Sequence, residues 1–294
     1  MENNFYHYIQ YQKRLSKHSI IAYKNDVAQF KQFLVKQYSI TDYNAVENGI
    51  IRAWIVSLVE KDLSSKTIRR KVSAVKSLYR YLRKEGLVEN NPVEKVSLPK
   101  VSKKLPVFLT ERQMKTLLDE NVFFDDYYGK RDKAIIDLLY STGMRLSELI
   151  HTKDSDIDFY EQTIKVHGKR DKQRIIPLTN EMTFILNEYS ALRKVRFTNI
   201  HKEDYFFLTD KGKILYPNYV YRIVNKYLGV VSTNRKRSPH VLRHTFATHM
   251  LNNGAELNTV KELLGHANLS ATQVYTHNTV EKLKTIYKQA HPKA

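Results

Sequence analysis

Cysteine is missing from all 294 residues. Neither a disulfide framework nor a thiolate metal site is available, and a reducing compartment suits such a chain. Apolar residues nowhere run uninterrupted for the ~18 positions that mark a membrane-spanning helix. The stretch Met1 to Leu15 has no apolar run followed by a small-residue cleavage site, so no signal peptide is expected and the cytoplasm is the default location. No Gly-rich loop of the kind that cradles nucleotide phosphates is present, and Asp and Glu form no evident two-metal cluster. Neither a nucleotide cofactor nor a metal ion is therefore expected. Internal repeats and low-complexity tracts are absent too.

Acidic residues are the scarcer charge. Lys and Arg number 49 against 30 Asp and Glu, a formal charge of +19. The excess is spread along the chain: positions 1–100 hold 18 of the basic and 9 of the acidic residues. Such a balance fits a polyanionic partner, nucleic acid or an anionic membrane, and fits equally a basic solubilising surface. The length allows one large domain or two ordinary ones.

The first hundred residues read as helical, with segments over 2–14, from Ser19 as cap to Leu34, from Asn44 to Val59 and from Ser65 to Lys84. In the last of these Ile68, Val72, Val75, Tyr79 and Leu82 recur at helical spacing and should face a core. Arg69, Lys76, Arg80 and Arg83 make an adjacent cationic stripe, which suits a phosphate backbone or a solvated face. Residues 88–106, with Asn90, Asn91, Pro92, Pro99 and the basic run Lys100 to Lys104, read as an interdomain linker. Beyond it, Thr110 and Gln113 have capping-box spacing. A helix is expected from Lys130 to Tyr140, then the turn Ser141-Thr142-Gly143 and a short helix Leu146 to Ile150. Three short antiparallel strands follow at Ile157–Phe159, Thr163–Val166 and Gln173–Pro177. Helices return at Glu181–Val195, Pro217–Leu228, Pro239–Asn252, Leu257–Leu264 and Ala271–Thr276. A last one starts near Asn278, whose spacing to Glu281 matches a cap. The fold class is thus mainly α: a helical domain over 1–87, the linker, and an α+β domain with a small three-stranded sheet over 107–294.

Chemistry is concentrated in the second half. Ser238 is a plausible helix cap and Pro239 a good first helical residue, which puts His240 and Arg243 one turn apart near a helix N-terminus. Arginine offers a fork of donors to two phosphate oxygens, and histidine adds a hydrogen bond or moves a proton. Gly265 should end a helix and let His266 project. Tyr275 follows nine residues later, one of 20 tyrosines. Arg145 stands after a Thr-Gly turn. Taken singly, each of these has an ordinary structural reading.

Taken in order, they are distinctive. Thr142-Gly143-Met144-Arg145-Leu146-Ser147-Glu148-Leu149, Gly168-Lys169, His240-Val241-Leu242-Arg243-His244, Leu264-Gly265-His266 and Tyr275 together closely resemble the tyrosine recombinase (phage integrase) family. Leu63-Ser64-Ser65-Lys66-Thr67-Ile68-Arg69-Arg70 and the stretch from Tyr79 to Pro92 resemble its core-binding, SAM-like domain, with the bacterial Xer subgroup most similar.

The resemblance implies a two-domain clamp around duplex DNA. Tyr275 would be the nucleophile that forms a 3′-phosphotyrosyl bond, and Arg145 and Arg243 would stabilise charge on the phosphate. Lys169 would protonate the leaving 5′-oxygen, with His240 and His266 completing the pocket and Glu148 supporting the Arg145 region. The family turn is often glycine-rich after its lysine; this chain has Gly168-Lys169-Arg170-Asp171-Lys172, so Lys172 is a rival. DNA contacts in the first domain would fall to Lys66, Arg69, Lys76, Arg80 and Arg83. The chain leaves no room for an extra arm-site domain ahead of the core-binding helices. Further implications are paired inverted half-sites, a synaptic tetramer of homologous protomers exchanging strands through a Holliday junction, chromosome dimer resolution, and a DNA translocase as regulator. The stripe Val280, Leu283, Ile286 and Tyr287 would dock the last helix on a neighbouring protomer or back on its own domain. A mobile-element integrase shares this chemistry. A topoisomerase-like enzyme and a noncatalytic DNA-binding protein are the other readings.

Overall fold

Local capping chemistry sets where the first helices begin. In the computed structural model, residues 1–101, 107–119, 122–168, 173–198, 204–265 and 277–293 are described. Helix α1 (Glu2–His7) gives way to a π-helical turn over Tyr8–Gln12 rather than running on to residue 14. That wider turn keeps both Phe5 and Ile9 buried. Helix α2 (Lys17–Tyr38) starts at Ser16, not at Ser19: Ser16 is extended and its hydroxyl accepts from the Ser19 amide at 3.3 Å. Both serines can cap, and the earlier one gains a second bond between the two hydroxyls at 2.9 Å. Residues 43–45 form a 3-10 turn because the Asp42 carboxylate takes the Asn44 amide. Helix α3 (Asn48–Glu60) therefore begins later than Asn44.

Helix α4 (Ser65–Lys84) carries the core of this first unit. Its serine cap, Ser64, accepts from the Thr67 amide, and Ile68, Val72, Val75, Tyr79 and Leu82 are all buried as their spacing predicts. They meet Phe30 and Leu34 of α2 and Trp54 and Leu58 of α3. Val88 and Val93 are buried in the same core, with Val96 and Leu98 packed against it. Residues expected in the linker thus contribute to packing, and the compact unit spans Met1–Lys104.

The second unit, Leu105–Ala294, is built around one helix. Helix α5 (Glu111–Asp119) opens with the expected reciprocal cap: the Thr110 amide donates to Gln113 and the Gln113 amide to the Thr110 hydroxyl. Helix α6 (Tyr127–Thr142) starts at Asp126, whose carboxylate accepts from the Gly129 amide at 2.7 Å. Its residues Ala134, Ile135, Ile136, Leu138, Leu139 and Tyr140 are almost wholly buried. A helix buried on nearly every side must be covered by several neighbours. After α7 (Leu146–Ile150) come β1 (Ile157–Asp158), β2 (Thr163–His167) and β3 (Gln173–Pro177), antiparallel in the order β1-β2-β3. Helices α8 (Asn180–Arg196), α9 (Pro217–Val231), α10 (Pro239–Asn252), α11 (Leu257–Leu264) and α12 (His277–Ala290) complete the unit. Of these, α8, α9 and α10 pack on α6. The short helix expected at 271–276 lies outside the described residues, as do the side chains of Asn278, Val280 and Glu281.

Helix α12 packs on its own unit. Leu283, Tyr287 and Ala290 are buried, and the Tyr287 hydroxyl donates to the Ser141 carbonyl at 2.7 Å. His291 stacks on the Tyr287 ring, and burial first, then the Lys293 charge, pushes its pKa down to about 3. Lys293 closes the contact by pairing with Asp137 of α6 at 2.7 Å.

Gly143 ends α6 at φ +59°, where a Cβ would drive into the Phe246 ring and the Leu264 side chain. Gly143→Ala should therefore combine backbone strain with overpacking and destabilise the second unit by about 2 kcal/mol or more. Urea unfolding of the full chain, followed in the transition of this unit, measures it.

Candidate active site

The left-handed turn at Gly143 does more than stop α6. It points the Gly143 carbonyl at the Arg243 guanidinium, 2.5 Å away, and delivers Arg145 to the N-cap position of α7. Arg145 is held there by Glu148: its amide donates to Oε2 at 2.8 Å and its guanidinium to Oε1 at 2.7 Å. The supporting contact expected of Glu148 is thus present. The Arg145 side chain is 37% exposed, against 3% for Glu148. The arginine is thus tied to a buried carboxylate while its side chain stays partly open to solvent.

On α10, Pro239 occupies the first turn as its fixed φ favours, whereas Ser238 sits at the cap position with no side-chain cap bond. A cap hydroxyl takes the second or third helical amide; here the Val241 amide bonds the Ser238 carbonyl instead, so Ser238 holds the cap position without the expected side-chain bond. His240 is exposed one turn from half-buried Arg243. Arg243 donates to the Leu264 carbonyl at 2.7 Å as well as to Gly143.

A third arginine completes the cluster, and the sequence reading missed it. Arg174 of β3 is buried, donating to Glu148 with both terminal nitrogens, at 3.1 and 2.8 Å, and through Nε to the Leu263 carbonyl at 2.7 Å. Its signal was the strand alternation, which places Arg174 on the same inward face as Ile176. A cation at an inward strand position needs a buried anion, and Glu148 supplies it.

These contacts converge on the end of α11. Its last carbonyls have no helical partner, and the dipole leaves them negative. Leu263, Leu264 and Gly265 each receive one arginine: Arg174, Arg243 and Arg145, the last at 3.1 Å. Gly265, at φ +66°, makes the turn, and a Cβ there would crowd Arg174. Among the described residues, three cations against one buried carboxylate leave the site positive. Burial, with the charges of Arg145 and Arg174, pushes the Arg243 pKa down to about 10. For Glu148, burial alone would raise the pKa, but the hydrogen bonds and charge of Arg174 and the bonds from Arg145 reverse it, so the net shift is downward. A guanidinium has five N–H donors; Arg145 and Arg243 each spend side-chain bonds on the scaffold and keep donors for an anion.

The structure thus brings Arg145 and Arg243 together, with His240 one turn away on α10. Lys169, its rival Lys172, His266 and Tyr275 lie outside the described residues. Of the cations expected to meet DNA from the first unit, Lys66, Arg69, Arg80 and Arg83 on α4 are exposed and Lys76 is half-buried. Arg69 donates to the Pro99 carbonyl and Arg83 pairs with Glu94, both at 3.3 Å. The neighbouring Arg70 and Lys71 instead pair with buried Asp26.

Residues 107–282 match the model of the phage integrase family, and residues 3–86 match the phage integrase N-terminal SAM-like domain. Tyrosine recombinase XerC of Bacillus licheniformis is 39% identical over 292 residues, covering 99% of this chain and 95% of that protein. Two solved structures share the fold. The Tn1549 transposon integrase in complex with transposon right end DNA has a TM-score of 0.74 at 20% identity, covering 96% of this chain and 97% of that one. The XerH site-specific recombinase in a post-cleavage complex with palindromic difH substrate has a TM-score of 0.72 at 24% identity, covering 90% and 78%. With its second unit matched by one family model, its first by the companion domain, and a relative this similar along nearly its whole length, the chain belongs to the phage integrase family and is a tyrosine site-specific recombinase.

Proposed function

We propose that the chain cuts and rejoins duplex DNA at paired inverted half-sites to resolve chromosome dimers. The carrying observation is the meeting of Arg145 and Arg243 at the end of α11, two residues or fewer before His266 in sequence. A scissile phosphate docked on these two forks would have its nonbridging oxygens neutralised as negative charge builds in the pentacoordinate transition state. The Tyr275 oxygen attacks phosphorus, the bond to the 5′-oxygen breaks, and a 3′-phosphotyrosyl ester forms. Lys169 donates the proton that makes the leaving group a 5′-hydroxyl, Lys172 being the alternative donor. His240 and His266 hydrogen-bond the phosphate and handle protons. Tyrosine is mostly protonated near neutrality, and the cationic pocket favours its phenolate. The ester conserves the energy of the broken phosphodiester, so rejoining by the 5′-hydroxyl of a second strand needs no nucleotide cofactor or metal in this scheme.

Exposed Lys66, Arg69, Arg80 and Arg83, with Lys76, supply phosphate contacts from the first unit. Protomers pair on one site and synapse as a tetramer through a Holliday junction. For α12 to dock on a neighbour, the bonds of Tyr287 and Lys293 to its own unit would have to be exchanged for contacts in trans. Likeness to a protein named tyrosine recombinase XerC supports the site-specific recombinase reading; the chromosomal role, control by a DNA translocase and a cytoplasmic location complete the proposal. No helix among the described residues is long and apolar enough to cross a membrane. A mobile-element integrase would use the same groups on a different DNA target.

Covalent trapping on nicked suicide duplexes drawn from the source genome tests the chemistry: the chain should form a protein–DNA adduct that Tyr275→Phe abolishes. Specific, tight binding without any adduct would sink the enzyme reading. Arg145→Ala and Arg243→Ala should each slow adduct formation by about 10²–10³-fold, as loss of one transition-state donor does, in single-turnover assays at saturating protein. Glu148→Gln carries a pH signature. The folded pKa of Glu148 is lowered, so its stabilising contribution is present above the ordinary glutamate range and is lost as pH falls through the lowered value. Thermal melts of the second unit should show Glu148→Gln destabilised by about 3–5 kcal/mol near neutrality and less so in acid.

A further inference from the structure

Residues 168–172 connect β2 to β3, and the last ladder pair before them is His167 with Gln173. Neighbouring pairs put their side chains on opposite faces of the hairpin. On one face, Arg174, paired with Val166, is bonded to Glu148 and to the end of α11. On the other, His167 Nε2 lies 2.9 Å from Asp156 Oδ1. Asp156 is buried; its second oxygen accepts from the Lys153 amide at 2.9 Å, so only a histidine carrying its proton on Nε2 completes the contact. The anchor is itself fixed. Asp154, in the same 3-10 turn, takes both oxygens onto the fully buried Arg193 of α8, at 2.6 and 2.7 Å.

We propose that His167, through Asp156, is a positioning residue for the general acid carried by the residues that follow it. This rests on the assignment of that acid to Lys169 or Lys172. Arg174 ties the hairpin to the arginine cluster, so its loss would disturb phosphate binding and the leaving group together. Among the described residues, no hydrogen bond or ion pair joins His167 to that cluster. Its loss frees one face of the hairpin base and leaves Arg145, Glu148 and Arg243 in place, so the defect is confined to protonation of the 5′-oxygen.

Sulfur in place of the 5′-bridging oxygen separates the two. When the bond from phosphorus to sulfur breaks, a thiolate departs without needing a proton. The probe is the nicked duplex recovered in the trapping experiment, made once with oxygen and once with sulfur at that position. His167→Ala should form the phosphotyrosyl adduct about tenfold more slowly on the oxygen duplex and at close to the unmodified rate on the sulfur duplex. His167→Gln, which retains a donor for Asp156, should recover most of the loss. Arg174→Met should be slow on both duplexes. Equal impairment of His167→Ala on both duplexes, or no impairment on oxygen, overturns the proposal. Lys169→Ala and Lys172→Ala run alongside distinguish its failure from that of the reading beneath it. If sulfur restores neither lysine variant, the lysine assignment fails and the inference falls with it. If sulfur restores one of them but not His167→Ala, the inference alone fails.

Discussion

Guanidinium groups repel one another, and Arg145, Arg174 and Arg243 interact closely enough for two of them to depress the third. Their proximity depends on buried Glu148. Each of its oxygens accepts one bond from Arg174 and one from Arg145, and the same carboxylate thereby caps α7. Negative carbonyls at the end of α11 supply the remaining compensation. A carboxylate this buried would be costly alone, and the three cations would be costly without it. Site and scaffold are therefore one electrostatic unit, and donors not spent on the scaffold are available to a phosphate.

Packing in the second unit serves this arrangement. Helix α6 is enclosed by α8, α9 and α10, so the Gly143 turn at its end is fixed relative to α10, which carries Arg243. The sheet is small, yet it brings Arg174 beneath Glu148 and places His167 over Asp156. Helix α12 and the residues after it add Tyr287 and Lys293 to the same helix, through Ser141 and Asp137. Elements distant in sequence meet at the ends of α6 and α11, where unpaired backbone carbonyls need donors.

Much of this was legible from local rules. The stripe of α4, the reciprocal cap of Thr110 and Gln113, proline at the start of α10 and glycine at the end of α11 all follow from spacing and backbone preference. Misreadings arose where two local rules competed. Ser16 and Ser19 both suit a cap, and Asp42 drew the chain into a 3-10 turn where the apolar pattern suggested helix. The linker reading of residues 88–106 missed Val88 and Val93, whose burial depends on a surface formed by helices earlier in the chain.

The sequence by itself determined the helical pattern, the hairpin and the ordered motifs that identify the chemistry, because periodicity, caps and motif spacing are properties of nearby residues. Tertiary structure alone decided that Arg174 belongs with Arg145 and Arg243, that one glutamate holds two of them, and that His167 reaches Asp156. The bonds of Arg174 and Arg243 span 21 to 100 residues of chain, and pairing Arg174 with Glu148 is worthwhile because burial has removed water from both charges.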